Sequence, residues 1–177
     1  PQAVYYQNTW YAIVKIGSYA FIGNNGITAV ELPNFIREIE PYAFAYCSGL
    51  TTINFPSSLE SIGQYAFTNC SSLVITTFPS GIRTIERYAF EFCTSLTDIT
   101  INGVAVITEG TFSGCSGLTN VTLPTNLISI QTSAFYDCSM LESIAFPASL
   151  QFLGNDAFAY CYALQSISIP GSVQEIG

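Results

Sequence analysis

Apolar and polar positions follow one pattern that returns seven times along the chain. Aligned on a small residue followed by Phe, the copies fall at Ala20-Phe21, Ala43-Phe44, Ala66-Phe67, Ala89-Phe90, Thr111-Phe112, Ala134-Phe135 and Ala157-Phe158. The steps are equal except the one from Phe90 to Phe112, which is shorter by a single position. Six residues after each Phe stands an aliphatic: Ile27, Leu50, Leu73, Leu96, Leu118, Leu141 and Leu164. An alternating apolar pair follows, as in Ile53 with Phe55 or Ile144 with Phe146, then a Pro at 33, 56, 79, 124, 147 and 170. Two aliphatics spaced three apart, such as Leu59 with Ile62, complete the unit. A fixed period of about 23 residues is the mark of a stacked repeat architecture and sets the reading of everything else.

One unit can be built from its residues. Leu50-Thr-Thr-Ile-Asn-Phe55 alternates at period two, which predicts a short strand with one face buried. Pro56 ends it, because Pro has no N–H for a ladder. Leu59 to Ile62 predicts a second extended edge. The stretch around Tyr65-Ala66-Phe67 is too short for a stable helix and is expected to form a 3₁₀ or α turn. A single unit cannot bury its own apolar face, whereas stacked units can, with parallel strands about 4.8 Å apart. The expected fold is therefore a right-handed, β-rich solenoid of about seven 22–23-residue turns, on the order of 35 Å long.

Residues 1–10 match the pattern only faintly and are expected to form a degenerate strand or partial cap; 11–177 form the single solenoid. Pro1 and Gly177 fall in mid-pattern, so the expectation is a segment of a longer array.

Charge narrows the function classes. Four basic residues, Lys15, Arg37, Arg83 and Arg87, face twelve acidic ones, with no His and a net charge of −8. Nucleic-acid binding needs a basic stripe to displace counterions, and none is present. No apolar run approaches the ~18 residues of a membrane-spanning helix. Only 9% of residues are charged, so the surface must be built from Ser, Thr, Asn, Gln, Tyr and Gly. Such a surface resists association weakly: either glycans cover it or it is made to associate. Without His there is no ready general base, and the acids are scattered singly, so no catalytic residue, cofactor or metal is expected.

The consensus Leu-x-x-Ile-x-[Ile/Phe]-Pro-x-x-[Leu/Ile]-x-x-Ile-x-x-x-Ala-Phe-x-x-Cys, carried by residues from about 11 to 177, resembles the BspA-type or treponemal-type leucine-rich repeat. The resemblance implies a leucine-rich repeat solenoid on a secreted or cell-surface protein, associated with adhesion to host or matrix proteins and with cell aggregation. It supplies no catalytic residues. Three departures predict local irregularity: Asn102 replaces a Pro in a turn one residue short, Thr76 replaces a strand aliphatic, and Trp10 stands at a Pro position.

Candidate sites follow from the register. Cys47, Cys70, Cys93, Cys115, Cys138 and Cys161 recur once per turn and are expected to form a ladder of small buried thiols rather than disulfides or a metal cluster. The outward residues of the first strand make a candidate binding face that includes Thr52, Asn54, Thr77, Asp98, Thr100, Asn120, Thr122 and Glu142; its outward set also takes in Ile75. Asn69 and Asn120 lie in sequons, candidate N-glycosylation sites if the source is eukaryotic. Tyr19, Tyr42, Tyr65 and Tyr88 form a column on the turn, read as structural.

Two functional readings stand. In the first, the chain is a non-enzymatic extracellular or cell-surface recognition module that binds a protein or glycan on host, matrix or a neighbouring cell. In the second, it is a structural repeat that stacks head to tail into an extracellular filament through open ends at Trp10, Tyr11 and Ile176.

Overall fold

The computed structural model describes residues 3–6 and 9–177, with side chains from Ile13 onward. Its strands in chain order are β1 (Ala3–Tyr6), β2 (Thr9–Ala12), β3 (Lys15–Ile16), β4 (Ala29–Glu31), β5 (Glu38–Ile39), β6 (Thr52–Asn54), β7 (Ser61–Ile62), β8 (Thr84–Ile85), β9 (Asp98–Thr100), β10 (Val106–Ile107), β11 (Asn120–Thr122), β12 (Ser129–Ile130), β13 (Ser143–Ile144), β14 (Phe152–Leu153) and β15 (Glu175–Ile176). β1 and β2 form an antiparallel hairpin that spans the boundary expected at residue 10. All other pairs are parallel and link one turn to the next, for example Val30 with Ile53 and Val121 with Ile144.

The strands form two ladders on different sides of the solenoid. The first ladder joins β4 to β6 and β9 to β11 to β13; the second joins β3, β5, β7, β8 and then β10, β12, β14, β15. Each ladder is interrupted once, at a place where the repeat departs from its consensus. Between β8 and β10 lies the short turn with Asn102, where the Thr108 hydroxyl donates to the Ile85 carbonyl at 2.8 Å. Between β6 and β9 the segment Val74–Thr77 carries only an isolated bridge, Thr77 with Thr100. Here Thr76 is exposed and Ile75 turns inward to 6% exposure, so Ile75 belongs to the core and not to the outward set in which its position placed it. An aliphatic one place early in the pattern is still captured by the core, and the backbone shifts to let it in.

The Ala-Phe corner is a run of β-turns instead of the expected 3₁₀ or α turn. Ala66 N–H donates to Gly63 C=O, Thr68 N–H to Tyr65 C=O and Cys70 N–H to Phe67 C=O, at 3.2, 3.2 and 3.1 Å. Tyr65 and Asn69 sit at φ of 54° and 59°, the left-handed conformation that helices exclude. This geometry frees alternate N–H groups to point along the solenoid. Tyr65 donates to Arg87, Phe67 to Ala89 and Asn69 to Glu91, at 3.2, 2.8 and 2.8 Å, and the same three bonds recur from turn to turn. A 3₁₀ helix would have spent those donors within one turn. The left-handed conformation costs a non-glycine residue about 1–2 kcal/mol. The bonds between turns contribute about 0.5–1.5 kcal/mol each in compensation.

The core is a spine of stacked rings. Phe21, Phe44, Phe67, Phe90, Phe112, Phe135 and Phe158 follow one another at centroid distances of 5.1 to 5.7 Å, with ring planes within 12° of parallel. Leu50, Leu59, Ile62, Leu73 and their equivalents in the central turns fill the space around it and are buried. Ala before Phe is itself buried in turns two to four, leaving room for the ring to enter. Replacing a central ring removes contacts on both faces. Phe67→Ala is expected to lower the unfolding free energy by about 3–5 kcal/mol in urea titrations. Phe92→Ala, at a ring 45% exposed, should lower it by less than half as much.

Candidate functional site

The first ladder presents the candidate face. Thr52 and Asn54 on β6, Thr77 on the irregular segment, Asp98 on β9, Asn120 and Thr122 on β11, and Glu142 beside β13 are exposed, and Thr100 is half-buried. Parallel register brings equivalent positions into rows: Thr52 beside Ala29, Asn120 between Asp98 and Ser143, Thr122 beside Thr100. Several side chains are already committed along these rows. Asn120 Nδ2 donates to Asp98 Oδ1 at 2.6 Å. The Asn54 amide accepts from Leu32 N–H at 2.6 Å and donates to Leu32 C=O at 3.1 Å. Thr51 donates to Thr28 C=O at 2.7 Å.

None of the four cations lies on this face. Lys15 pairs with Glu40 at 2.5 Å and Arg37 with Glu60 at 2.6 Å, around the second ladder. The Glu40 carboxyl is held below the usual range by hydrogen bonds from Lys15 and Ser18. The strand face thus carries Glu31, Asp98 and Glu142 with no positive charge beside them. A concavity interrupts it, a depression of about 340 Å³ lined by residues of 52–55 and 74–77.

The six cysteines lie in one column beside the Phe spine, all free and buried. Each thiol donates to the carbonyl of the Phe one turn earlier, Cys47 to Phe21 at 2.9 Å, Cys70 to Phe44 at 3.0 Å and Cys93 to Phe67 at 3.2 Å. That carbonyl already accepts the turn N–H, so the thiol satisfies its second lone pair. The repeat spacing marks the column as buried; the carbonyl partner follows only from the corner geometry. Burial pushes the thiols up, to about 12 for Cys70 and about 11 for Cys161, and holds Cys93, Cys115 and Cys138 well above the ordinary thiol range. They remain protonated at neutral pH and are poor nucleophiles. Among the described residues no group of three or more His, Cys, Asp or Glu is arranged to hold a metal.

The remaining expected positions fall as follows. Asn69 lies half-buried on the corner, with Nδ2 on the Thr68 hydroxyl at 3.2 Å. Tyr19, Tyr42, Tyr65 and Tyr88 stack at 5.0 Å, covering one another's faces, and Tyr88 donates to Glu109 at 2.7 Å. Ile176 is 61% exposed on β15. Trp10 and Tyr11 belong to β2, and their side chains lie outside the described residues.

The family model for the BspA type leucine rich repeat region matches residues 14–107 and 102–177, in six copies. Solved structures agree. A leucine rich cell surface protein from Faecalibacterium prausnitzii A2-165 is 35% identical with a TM-score of 0.83, over 94% of this chain and 45% of its own. A leucine-rich repeat protein from Bacteroides ovatus ATCC 8483 is 31% identical with a TM-score of 0.78, over 100% and 52%. The leucine rich repeat protein of T. pallidum is 29% identical with a TM-score of 0.65, over 74% and 72%. The chain thus spans about half the length of the first two. No curated protein matches it.

The thiol ladder predicts a pH dependence. Folded thiols keep their protons to higher pH than thiols of the unfolded chain, whose ordinary value is about 8.5. The unfolded state therefore binds fewer protons in that window, and stability falls as pH rises. The urea midpoint should hold steady up to about pH 8. It should then decline towards pH 12, where Cys70 is itself half-ionised in the folded state. Thiol reagents at pH 8 should label the unfolded chain fully and the native chain slowly.

Proposed function

The chain belongs to the BspA type leucine-rich repeat family, and on that footing we propose that it is a non-enzymatic recognition module of an extracellular or cell-surface protein. Its first ladder is the surface that meets the partner, a protein or glycan on a host, matrix or neighbouring cell. The observation that carries this reading is the division of charge. Every cation lies off the first ladder, while the ladder itself offers rows of Thr, Ser and Asn in a fixed register.

The physical argument is one of preorganisation. Backbone positions on a parallel ladder are held by the turns on either side, so hydroxyl and amide groups can meet a partner with little further loss of conformational entropy. The face is short of the Trp, Tyr and Arg that dominate tight protein–protein contacts. Its affinity for one partner group is then modest, and repetition along the array supplies the rest through multivalency. Membership of a family whose resolved members include a cell surface protein supports the location.

Surface binding of the chain to immobilised matrix glycoproteins and glycans tests this. The paired substitution Thr122→Arg and Glu142→Arg should weaken capture by about tenfold or more, a loss of roughly 1.4 kcal/mol or greater. Gln151→Arg, exposed on the other side before β14, should leave it unchanged. Equal loss from both, or from neither, would move the binding surface away from the first ladder.

A further inference from the structure

The break in the first ladder leaves main-chain hydrogen-bonding groups without partners, and they open into the depression beside it. In a parallel ladder successive residues address opposite neighbours. β6 pairs with β4 through Thr52 and Asn54, so the N–H and C=O of Ile53 face the next turn. There the regular register would offer Ile75 C=O and Thr77 N–H. Only one main-chain bond joins the two segments, Val74 N–H to Thr51 C=O at 2.9 Å. Ile53 and Thr77 therefore present unpaired groups, whereas the equivalent Ile99 and Val121 are in register with the turn that follows each.

The geometry points to this gap as a subsite for one neutral pyranose unit of a glycan. The inference deepens the reading of the first ladder as a binding face and rests on it. The depression of about 340 Å³ is at the small end of ligand sites, which run from about 300 to 1,000 Å³. Its lining combines the buried Ile53 and Ile75 and the half-buried Phe55 with the exposed Val74 and the exposed polar residues Thr52, Asn54, Thr76 and Thr77.

A strand residue presents its N–H and C=O side by side. Vicinal hydroxyls of a pyranose match that pair, because each hydroxyl both donates and accepts. An inserted peptide strand does not fit. Phe44, Phe67 and Phe90 stack at 5.3 and 5.2 Å beneath the gap and keep the turns from separating. Charge sets the class of sugar. Glu31 and Asp98 flank the site on the same face with no cation near them, which disfavours uronic and sialic acids.

The test is amide NMR of the whole chain, titrated separately with the methyl glycosides of glucose, galactose and mannose. At least one should shift the Ile53 and Thr77 amides first. The double substitution Ile75→Thr with Thr76→Ile restores the repeat consensus and closes the ladder. It should keep the thermal midpoint and lose the response by about tenfold or more. Thr77→Val, which removes one rim hydroxyl, should weaken binding without closing the gap. Three results would overturn the subsite. They are no response to any of the sugars, undiminished binding in the closed variant, or capture of a peptide at Ile53 in preference to sugar. If glycan capture persists in the closed variant and fails in Thr122→Arg with Glu142→Arg, the face survives and only the subsite falls.

Discussion

Everything in this protein is set by the distance between turns. A backbone hydrogen bond fixes that distance at about 4.8 Å on the strand sides. At the corner, main-chain bonds of 2.7 to 3.2 Å do the same. The stacking distance of aromatic rings is close to this value, so a Phe in each turn can lie on the next without strain. Backbone and core thus ask for the same repeat. Neither would suffice alone, since a turn has no second layer to cover its apolar side.

The corner turns show how this agreement is reached. Placing Tyr, Asn, Phe, Ser or Asp at positive φ is locally unfavourable, and the chain does it at eleven non-glycine positions among the described residues. Nine of them, all but Asp156 and Tyr160 in the last corner, donate their N–H to the following turn. Alternate amide dipoles of the corner therefore point the same way along the solenoid. The strand sides alternate their donors and carry no such sum. The corner is the more constrained side, filled with rings and thiols, and the first ladder is left with side chains that need only be compatible with a pleat.

That division bears on function. Thiols that donate to Phe carbonyls and tyrosines that cover each other are used up by the fold. The first ladder is the side where hydroxyls, amides and a few carboxylates reach solvent in rows. Its one irregularity opens unpaired main-chain groups at a place where a regular turn would have none. Irregular backbone beside regular backbone is where proteins commonly aim groups at ligands.

The repeat, the turn count, the Phe and Cys columns and the outward face were all legible in the sequence. So short and regular a period leaves no other way to bury Leu50, Ile53 and Phe67 together. Thr76 and Asn102 also announced where the ladders would break. The inward swing of Ile75, the left-handed tyrosines and the thiol-to-carbonyl bonds were not legible. They depend on where backbone groups point between turns that are distant in the chain and adjacent in space, and residue type does not encode that direction. Only stacking decides which N–H meets which carbonyl, and only stacking shows that Ile53 meets none.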